Sequence, residues 1–301
     1  MSKIKNIYTF GTSFTEGGGF EFNKPEPKYC NHGLFKHYGH IDEPKTRENF
    51  SWPGQFQKLY NSIDVINEAK SGYGNERIYR RCFDIISHPS FNKDENVFIF
   101  EFSDVGRKEI FHKKINDYII LNYWWKNYPV DDDELQVSSF ARTYYYDSQD
   151  ITNIIDDDSE FLEGYIHKTI KFDEVINTLT RNMHMFLSFL NQNNIHYYII
   201  SSEFANFNLN LKTNLDFVNS KRISFELPNK KTYSDVMELF GEHKLSIMDE
   251  TGGDITDGGH LGYFGNKLVA RLIGNYFENN NIIGIENPNN LIIDYNLLVK
   301  K

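Results

Sequence analysis

The 301-residue chain is poor in cysteine, with Cys30 and Cys82 as its two cysteines. Two cysteines do not make a disulfide framework, and no Cys-x-x-Cys pair is present. The segment at residues 1–6 lacks the long apolar stretch of a signal peptide. No later apolar run approaches the roughly 20 residues that cross a membrane. We therefore expect a cytoplasmic protein in a reducing compartment, without a membrane partner.

Basic residues are also scarce. Lys and Arg number 32 against 42 Asp and Glu, which gives a formal net charge of −10. A nucleic-acid-binding surface needs a basic face that neutralises phosphates, and anionic membranes likewise attract basic residues. The charge balance therefore argues against both partners and favours a soluble acidic globular protein.

Signatures of metal and phosphate binding are missing as well. One loop holds four possible zinc ligands, namely Cys30, His32, His37 and His40. Their spacing matches no zinc pattern. The glycines at 17–19 lack the Lys-Ser/Thr pair that completes a P-loop. The acidic runs at 131–134 and 156–158 lack the alternating ligands of a calcium loop. We expect neither a metal nor an organic cofactor.

The sequence does contain an alternation of β-prone apolar runs and helical stripes. Four runs predict strands, at 4–10, 63–69, 96–102 and 195–200. The run at 96–102 is apolar almost throughout, which is typical of a parallel strand covered on both faces. Helical patterns and cap signals predict helices at about 51–60, 76–87, 172–191, 234–240 and 263–277.

This alternation predicts an α/β protein, a three-layer α/β/α sandwich with a mostly parallel, flavodoxin-like sheet. We expect a single domain over residues 1–301. Within it, residues 105–170 place aromatic clusters between two acidic runs, and we expect an insertion there that forms a cap or side-lobe. Ligands of such folds bind outside the carboxyl ends of the strands, where Ser13, Gly72 and Ser103 are expected to lie.

Two stretches contain residues suited to nucleophilic catalysis. Ser13 follows the first strand and Gly11, a position where α/β proteins often place a reactive group. Asp257 precedes His260 by three residues in a glycine-rich turn ahead of the last helix. That spacing lets the carboxylate accept the Nδ1 proton and leaves Nε2 facing outward as a base. Together the two stretches offer a nucleophile, a base and an orienting acid.

These stretches resemble the sequence blocks of the SGNH hydrolases, also called GDSL-type esterases. Four segments match in the family's order, namely Phe10 to Ser13, Asn67 to Gly72, Phe102 to Asp104 and Asp257 to His260. The chain departs from the family's pattern at two positions. Thr12 stands where the family usually has aspartate, and Ser103 stands where it has asparagine. The resemblance covers most of the chain outside residues 105–170 and 206–245.

The resemblance implies an SGNH-type sandwich and a serine hydrolase. Ser13 would be the nucleophile, His260 the general base and Asp257 the acid that orients it. The substrate would be a small acyl ester, with an acetylated carbohydrate slightly preferred, and the reaction would pass through an acyl-enzyme. Neither a metal nor a cofactor would take part.

The resemblance also implies an oxyanion hole. Its donors would be the backbone N–H groups of Ser13 and Gly72, with Ser103 at the asparagine position or Asn75 in its place. A hydroxyl is shorter than a carboxamide, so the sequence also allows a catalytically weak or inactive pseudo-enzyme that binds a glycan or protein partner. The glycines after the first strand allow a third alternative, a flavodoxin-like mononucleotide binder. The oligomeric state stays open.

Overall fold

The computed structural model describes nine stretches of the chain and the single residue Asp249. The stretches are 4–17, 49–70, 72–103, 107–112, 117–125, 135–137, 171–202, 220–246 and 259–283. One of the sequence-predicted site residues, Asp257, lies outside them, as does most of the expected insertion at 105–170.

The described residues form nine strands and six helices. The strands are β1 (Asn6–Phe10), β2 (Asp64–Asn67), β3 (Asn96–Phe102), β4 (Arg107–His112), β5 (Asp117–Trp125), β6 (Leu135–Val137), β7 (His196–Ser202), β8 (Phe225–Glu226) and β9 (Thr232–Tyr233). The helices are α1 (Ser13–Glu16), α2 (Trp52–Leu59), α3 (Asn75–Ile86), α4 (Phe172–Gln192), α5 (Val236–His243) and α6 (Tyr263–Asn279).

The four sequence-predicted strands pair into one parallel sheet in the order β2-β1-β3-β7. β3 spans the predicted residues, and every one of them is buried. The α/β prediction is therefore confirmed. The start of α2 follows its sequence signal closely, since Ser51 caps the helix by accepting a hydrogen bond from the Gly54 backbone N–H.

Helical layers cover both faces of the sheet. Successive side chains of a strand point to opposite faces, and β3 illustrates this clearly. Val97 and Ile99 join a buried cluster with side chains of α2, α5 and α6. Phe98 and Phe100 join a second cluster with side chains of α3 and α4. This arrangement is compatible with the predicted three-layer sandwich.

The strand order creates a topological switch point. From β1 the chain continues to β2 on one side, and it then enters β3 on the other side of β1. In open α/β sheets, ligands bind at the carboxyl ends of the strands where the order reverses in this way. Ser13 follows β1 and Ser103 follows β3, so both residues lie at this switch point.

Part of the expected insertion is described as an antiparallel sheet in the order β4-β5-β6. β4 contacts α3 through Arg80, whose Nη2 lies 3.0 Å from the Glu109 Oε1. The Glu109 backbone N–H also donates to the Glu76 carboxylate at 3.0 Å. The predicted role of residues 105–170 as a cap or side-lobe stays a prediction. Within the described stretches, no helix is both long and apolar enough to cross a membrane.

Candidate functional site

Ser13 is the first residue of α1 and lies directly beyond the sheet. Thr12 precedes it in an extended conformation and the chain then turns into the short helix. Thr12 and Phe14 are buried, whereas Ser13 itself is partly exposed. The turn therefore presents the Ser13 hydroxyl near the surface between two anchored neighbours.

A buried carboxylate holds this turn in place. Glu101 of β3 is 3% exposed, and its Oε2 accepts hydrogen bonds from the backbone N–H groups of Thr15 at 2.9 Å and Thr12 at 3.3 Å. Its Oε1 accepts from the Thr12 hydroxyl at 2.5 Å. Burial raises the pKa of Glu101, and these hydrogen bonds oppose that rise. The carboxylate thus ties β3 to the two residues that flank Ser13 and Phe14.

Two further contacts restrict the same turn. The Trp52 indole N–H donates to the Thr15 hydroxyl at 3.1 Å. A side chain at Gly11 would place its Cβ against the Glu101 carboxylate and 2.8 Å from the Thr15 Oγ1. Gly11 is therefore required by the close approach of Glu101, and the Ser13 turn is held on several sides.

Two further candidate oxyanion positions lie beyond β2 and β3. Gly72 adopts a φ of +80°, which favours glycine. Ser103 is 1% exposed and is held by Asn75 at the start of α3. The Asn75 Oδ1 accepts from the Ser103 N–H at 2.7 Å, and its Nδ2 donates to the Ser103 carbonyl at 2.9 Å. Asn75 therefore connects α3 to the end of β3. Its suggested role as an alternative oxyanion donor stays a prediction.

Arg107 brings a cation to this edge of the sheet. Its Nη1 donates to the Ser103 Oγ at 3.3 Å and approaches the Tyr73 carbonyl oxygen at 3.5 Å. The backbone of Arg107 packs directly on Gly74, where an added Cβ would lie 2.6 Å from the Arg107 carbonyl oxygen. β4 thus places the guanidinium beside both Ser103 and the loop that contains Gly72.

His260 is partly buried just before α6. Its neighbour Leu261 pairs with Ser246, and the Gly262 N–H donates to the Leu245 carbonyl at 2.8 Å. The buried Asn266 side chain donates to the carbonyls of Leu261 at 3.0 Å and Gly262 at 2.9 Å. These contacts anchor the segment that contains His260 to the segment that follows α5 and to the first turn of α6.

The Ser13 and His260 segments pack into the same core cluster. Phe14 and Leu261, the residues that follow Ser13 and His260, both belong to the cluster on the α2 and α6 side of the sheet. The Phe14 ring also meets the Phe240 ring edge-on, with centroids 5.4 Å apart. The third proposed member of the triad, Asp257, lies outside the described residues.

Sequence reasoning missed the role of Glu101 and the position of Arg107. A single carboxylate in the otherwise apolar β3 was a signal for Glu101, because a buried charge needs partners. The position of Arg107 just after β3 allowed either a role at the mouth of the pocket or a solvated helix start, and the structure has a strand there instead. Its contact with Ser103 depends on how β4 packs on α3. Among the described residues, no group of three or more side chains could hold a metal ion.

A separate cleft of about 450 Å³ lies between the β8–β9 hairpin and the C-terminal half of α6. Its lining includes Lys230 and Tyr276. The nearby Glu278 accepts a hydrogen bond of 2.5 Å from the hydroxyl of Tyr60, a residue that lies shortly before the start of β2. The cleft therefore lies towards the amino ends of the strands, away from Ser13.

Comparisons of the chain with protein-family models, curated proteins and solved structures found no match. What the structure defines is an α/β protein with a serine-bearing turn at the switch point of a parallel sheet. Any assignment of function depends on that geometry and on the residues gathered there.

Proposed function

We propose that this protein is a serine hydrolase that cleaves a small acyl ester, with Ser13 as nucleophile, His260 as general base and Asp257 as the orienting acid. One observation carries the proposal. Ser13 lies at the topological switch point on a turn that a buried carboxylate, Glu101, holds through three hydrogen bonds. A nucleophile must be held in one geometry to react efficiently. Burying a carboxylate costs free energy, so a buried carboxylate that fixes the Ser13 turn supports a functional role for that turn.

The reaction proceeds by acyl transfer. The Ser13 Oγ attacks the ester carbonyl carbon while the His260 Nε2 takes the hydroxyl proton. The resulting oxyanion accepts hydrogen bonds from the backbone N–H groups of Ser13 and Gly72 and from Ser103. The C–O bond to the alcohol then breaks, and His260 returns the proton to the departing oxygen. Water, deprotonated by His260, cleaves the acyl-enzyme and restores Ser13.

Glu101 supports an SGNH-type assignment despite the change at residue 12. The family usually has an aspartate at that position, and a carboxylate there is expected to support the turn. Here the side chain is Thr12, and its hydroxyl donates to the Glu101 carboxylate at 2.5 Å. A carboxylate therefore still meets the nucleophile turn, although it comes from β3.

Ser103 is suited to complete the oxyanion hole. A serine hydroxyl has one proton to donate and oxygen lone pairs that accept. The Arg107 Nη1 donates to the Ser103 oxygen at 3.3 Å. The hydroxyl proton is then left to donate to a substrate oxygen, and polarisation by the cation strengthens that donor. Among small esters, acetylated carbohydrates are the substrates we favour, because aromatic side chains such as those in the 105–170 segment stack on sugar rings.

The test is hydrolysis of p-nitrophenyl acetate by the purified protein. We expect Ser13→Ala to lower kcat by about 10³-fold or more, because the nucleophile is lost while the fold is retained. Ser90→Ala is the matched control, since Ser90 is exposed and hydrogen-bonds to His88 in the loop after α3. Equal rates for wild type and Ser13→Ala would contradict the proposal.

An active-site label separates the enzyme from a pseudo-enzyme with the same fold. The short Ser103 side chain at the asparagine position is the observation that favours a binding protein. A fluorophosphonate probe reacts with activated serines, so we expect a covalent adduct on Ser13 in wild type and none in Ser13→Ala. A folded wild-type protein without any adduct would favour the pseudo-enzyme.

A further inference from the structure

The Arg107 guanidinium is held at the switch point by one of its three nitrogens. Its Nη1 contacts the Ser103 Oγ at 3.3 Å and the Tyr73 carbonyl oxygen at 3.5 Å. Both acceptors are uncharged. The backbone behind it cannot shift towards α3, because Gly74 already packs against the Arg107 carbonyl. The cation therefore has a defined position beside the candidate oxyanion hole.

Within the described stretches, no carboxylate forms an ion pair with Arg107. Other arginines in these stretches do have such partners. Arg80 pairs with Glu109, Arg81 with Glu68 and Arg222 with Asp235, at 3.0 to 3.5 Å. The chain as a whole has 42 acidic residues against 32 basic ones. A partly buried arginine that meets only neutral oxygens keeps its charge available, and it points to an anion from outside the described stretches.

The remaining donors of Arg107 have the geometry for such an anion. A guanidinium carries five N–H donors in a planar fork. The contacts to Ser103 and Tyr73 use Nη1, which leaves the edge formed by Nε and Nη2. Nε and Nη2 of Arg107 are not among the buried side-chain nitrogens that lack a hydrogen-bond partner, so neither nitrogen is sealed off in the protein interior. Two parallel N–H groups on one edge match the two oxygens of a carboxylate or phosphate group.

We propose that Arg107 binds an anionic group of the substrate, so that among acetylated carbohydrates and other small esters the site prefers those that bear a carboxylate or phosphate. The ester part of this statement depends on the proposed hydrolase function, whereas binding of the anion by Arg107 does not. Ser103 connects anion binding by Arg107 with stabilisation of the oxyanion. It accepts from Arg107 and donates to the oxyanion, which sets the anionic group of the substrate close to the scissile carbonyl.

The kinetic test compares a neutral ester, p-nitrophenyl acetate, with an anionic one, p-nitrophenyl hydrogen succinate. We expect Arg107→Gln to lower kcat/KM for the succinate ester relative to the acetate by about 10- to 100-fold, because a charge-assisted bidentate contact is lost. Arg107→Lys should retain part of the preference, since it keeps the charge and loses the fork. Arg181→Gln on α4 is the control, an exposed arginine that hydrogen-bonds to Thr178.

An equal fall for both esters in Arg107→Gln would overturn the proposal, because Arg107 would then act on the oxyanion alone. No fall for either ester would overturn it as well. Circular dichroism of each variant checks folding. If Arg107→Gln does not fold, the Arg107→Lys ratio and the loss of the wild-type preference in added sodium chloride decide the question.

A binding measurement separates this proposal from the hydrolase assignment. Titration calorimetry of Ser13→Ala with inorganic phosphate and with monomethyl succinate requires no turnover. We expect binding of both probes that weakens about 10-fold or more when Arg107→Gln is added. If wild type hydrolyses neither ester yet phosphate binds through Arg107, the hydrolase assignment fails and the anion site stands. If neither probe binds in Ser13→Ala, the anion site fails whatever the hydrolytic activity.

Discussion

Glu101 is a carboxylate in an almost completely buried position. It is fully enclosed within β3, between Phe100 and Phe102, yet its carboxylate meets three donors from the Ser13 turn. Desolvation disfavours the ionised form and raises the pKa of Glu101. The hydrogen bonds offset part of that cost. Burial of Glu101 therefore costs folding free energy, but it fixes the conformation of the turn at the switch point.

Removing the acceptor should therefore damage the turn. We expect Glu101→Ala to lower the free energy of unfolding by about 1–3 kcal/mol, because buried N–H donors lose their partner, and to lower hydrolysis of p-nitrophenyl acetate. Glu101→Gln should retain most of both, since its amide oxygen can accept from Thr12 and Thr15 while its NH₂ donates to the Thr12 hydroxyl. Urea unfolding and steady-state rates measure both effects. Equal losses in the two variants would contradict this role.

The raised pKa of Glu101 also predicts a dependence of stability on pH. An unfolded glutamate has a pKa of about 4.3. Because the folded pKa is higher, the native state binds more protons than the unfolded state between these two values, and stability falls as pH rises. The contribution is fully present below pH about 4.3 and is lost as pH rises through the folded pKa. We expect unfolding free energies of wild type, relative to Glu101→Gln, to decrease over this range and then level off.

At the scale of elements, close approach decides where glycine is needed. Gly265 in the first turn of α6 packs against the segment after α5, where an added Cβ would lie 2.8 Å from the Leu245 carbonyl oxygen. That contact sets the position of α6 and of the His260 segment before it. Gly241 also lies within a helix, α5, but an added Cβ at this position would meet nothing within 4 Å.

The two glycines should therefore respond in opposite directions to the same substitution. We expect Gly265→Ala to lower the free energy of unfolding by about 1–3 kcal/mol through overpacking, and to reduce ester hydrolysis by displacing His260. Gly241→Ala should raise it by about 0.5–1 kcal/mol, since alanine is the better helix former, and leave hydrolysis unchanged. Chemical unfolding and p-nitrophenyl acetate turnover test the pair. A neutral Gly265→Ala would show that α6 can shift without cost.

At the scale of the whole molecule, β3 connects the two helical layers. The Phe100 ring lies 5.3 to 5.5 Å, centroid to centroid, from the rings of Phe10, Phe102 and Phe186 on one face. Its neighbour Ile99 belongs to the cluster on the opposite face. One strand thus contributes to both clusters, which makes the stability of each layer dependent on the other.

Phe100→Ala should therefore lower the stability of both helical layers. We expect a loss of about 3–5 kcal/mol from the cavity that the missing ring leaves. Hydrogen exchange should become faster in α6, on the far side of the sheet, as well as in α3 and α4, because the layers open together. Exchange monitored by mass spectrometry on peptides from each helix measures this. Faster exchange confined to α3 and α4 would show that the layers open separately.

The sequence by itself determined the four strands of the parallel sheet and the five longer helices, but not α1 or the strands β4, β5, β6, β8 and β9. The apolar run at 96–102 and the stripe at 172–191 predict β3 and α4 because strand and helix periods are local properties of the chain. The same patterns placed Ser13, Gly72 and Ser103 after strands. Because strands alternate with helices, the parallel sheet also followed from the sequence.

Only the tertiary structure decided what surrounds the candidate nucleophile. Glu101 meets Thr12 across 89 residues of chain, and Arg107 meets Ser103 because β4 packs on the glycine-containing loop before α3. Such contacts depend on the pairing of β1 with β3 and on the docking of a second sheet, which no local pattern encodes. Local periodicity therefore predicts where Ser13 lies. Tertiary packing sets the Glu101 carboxylate against its turn and the Arg107 cation beside Ser103.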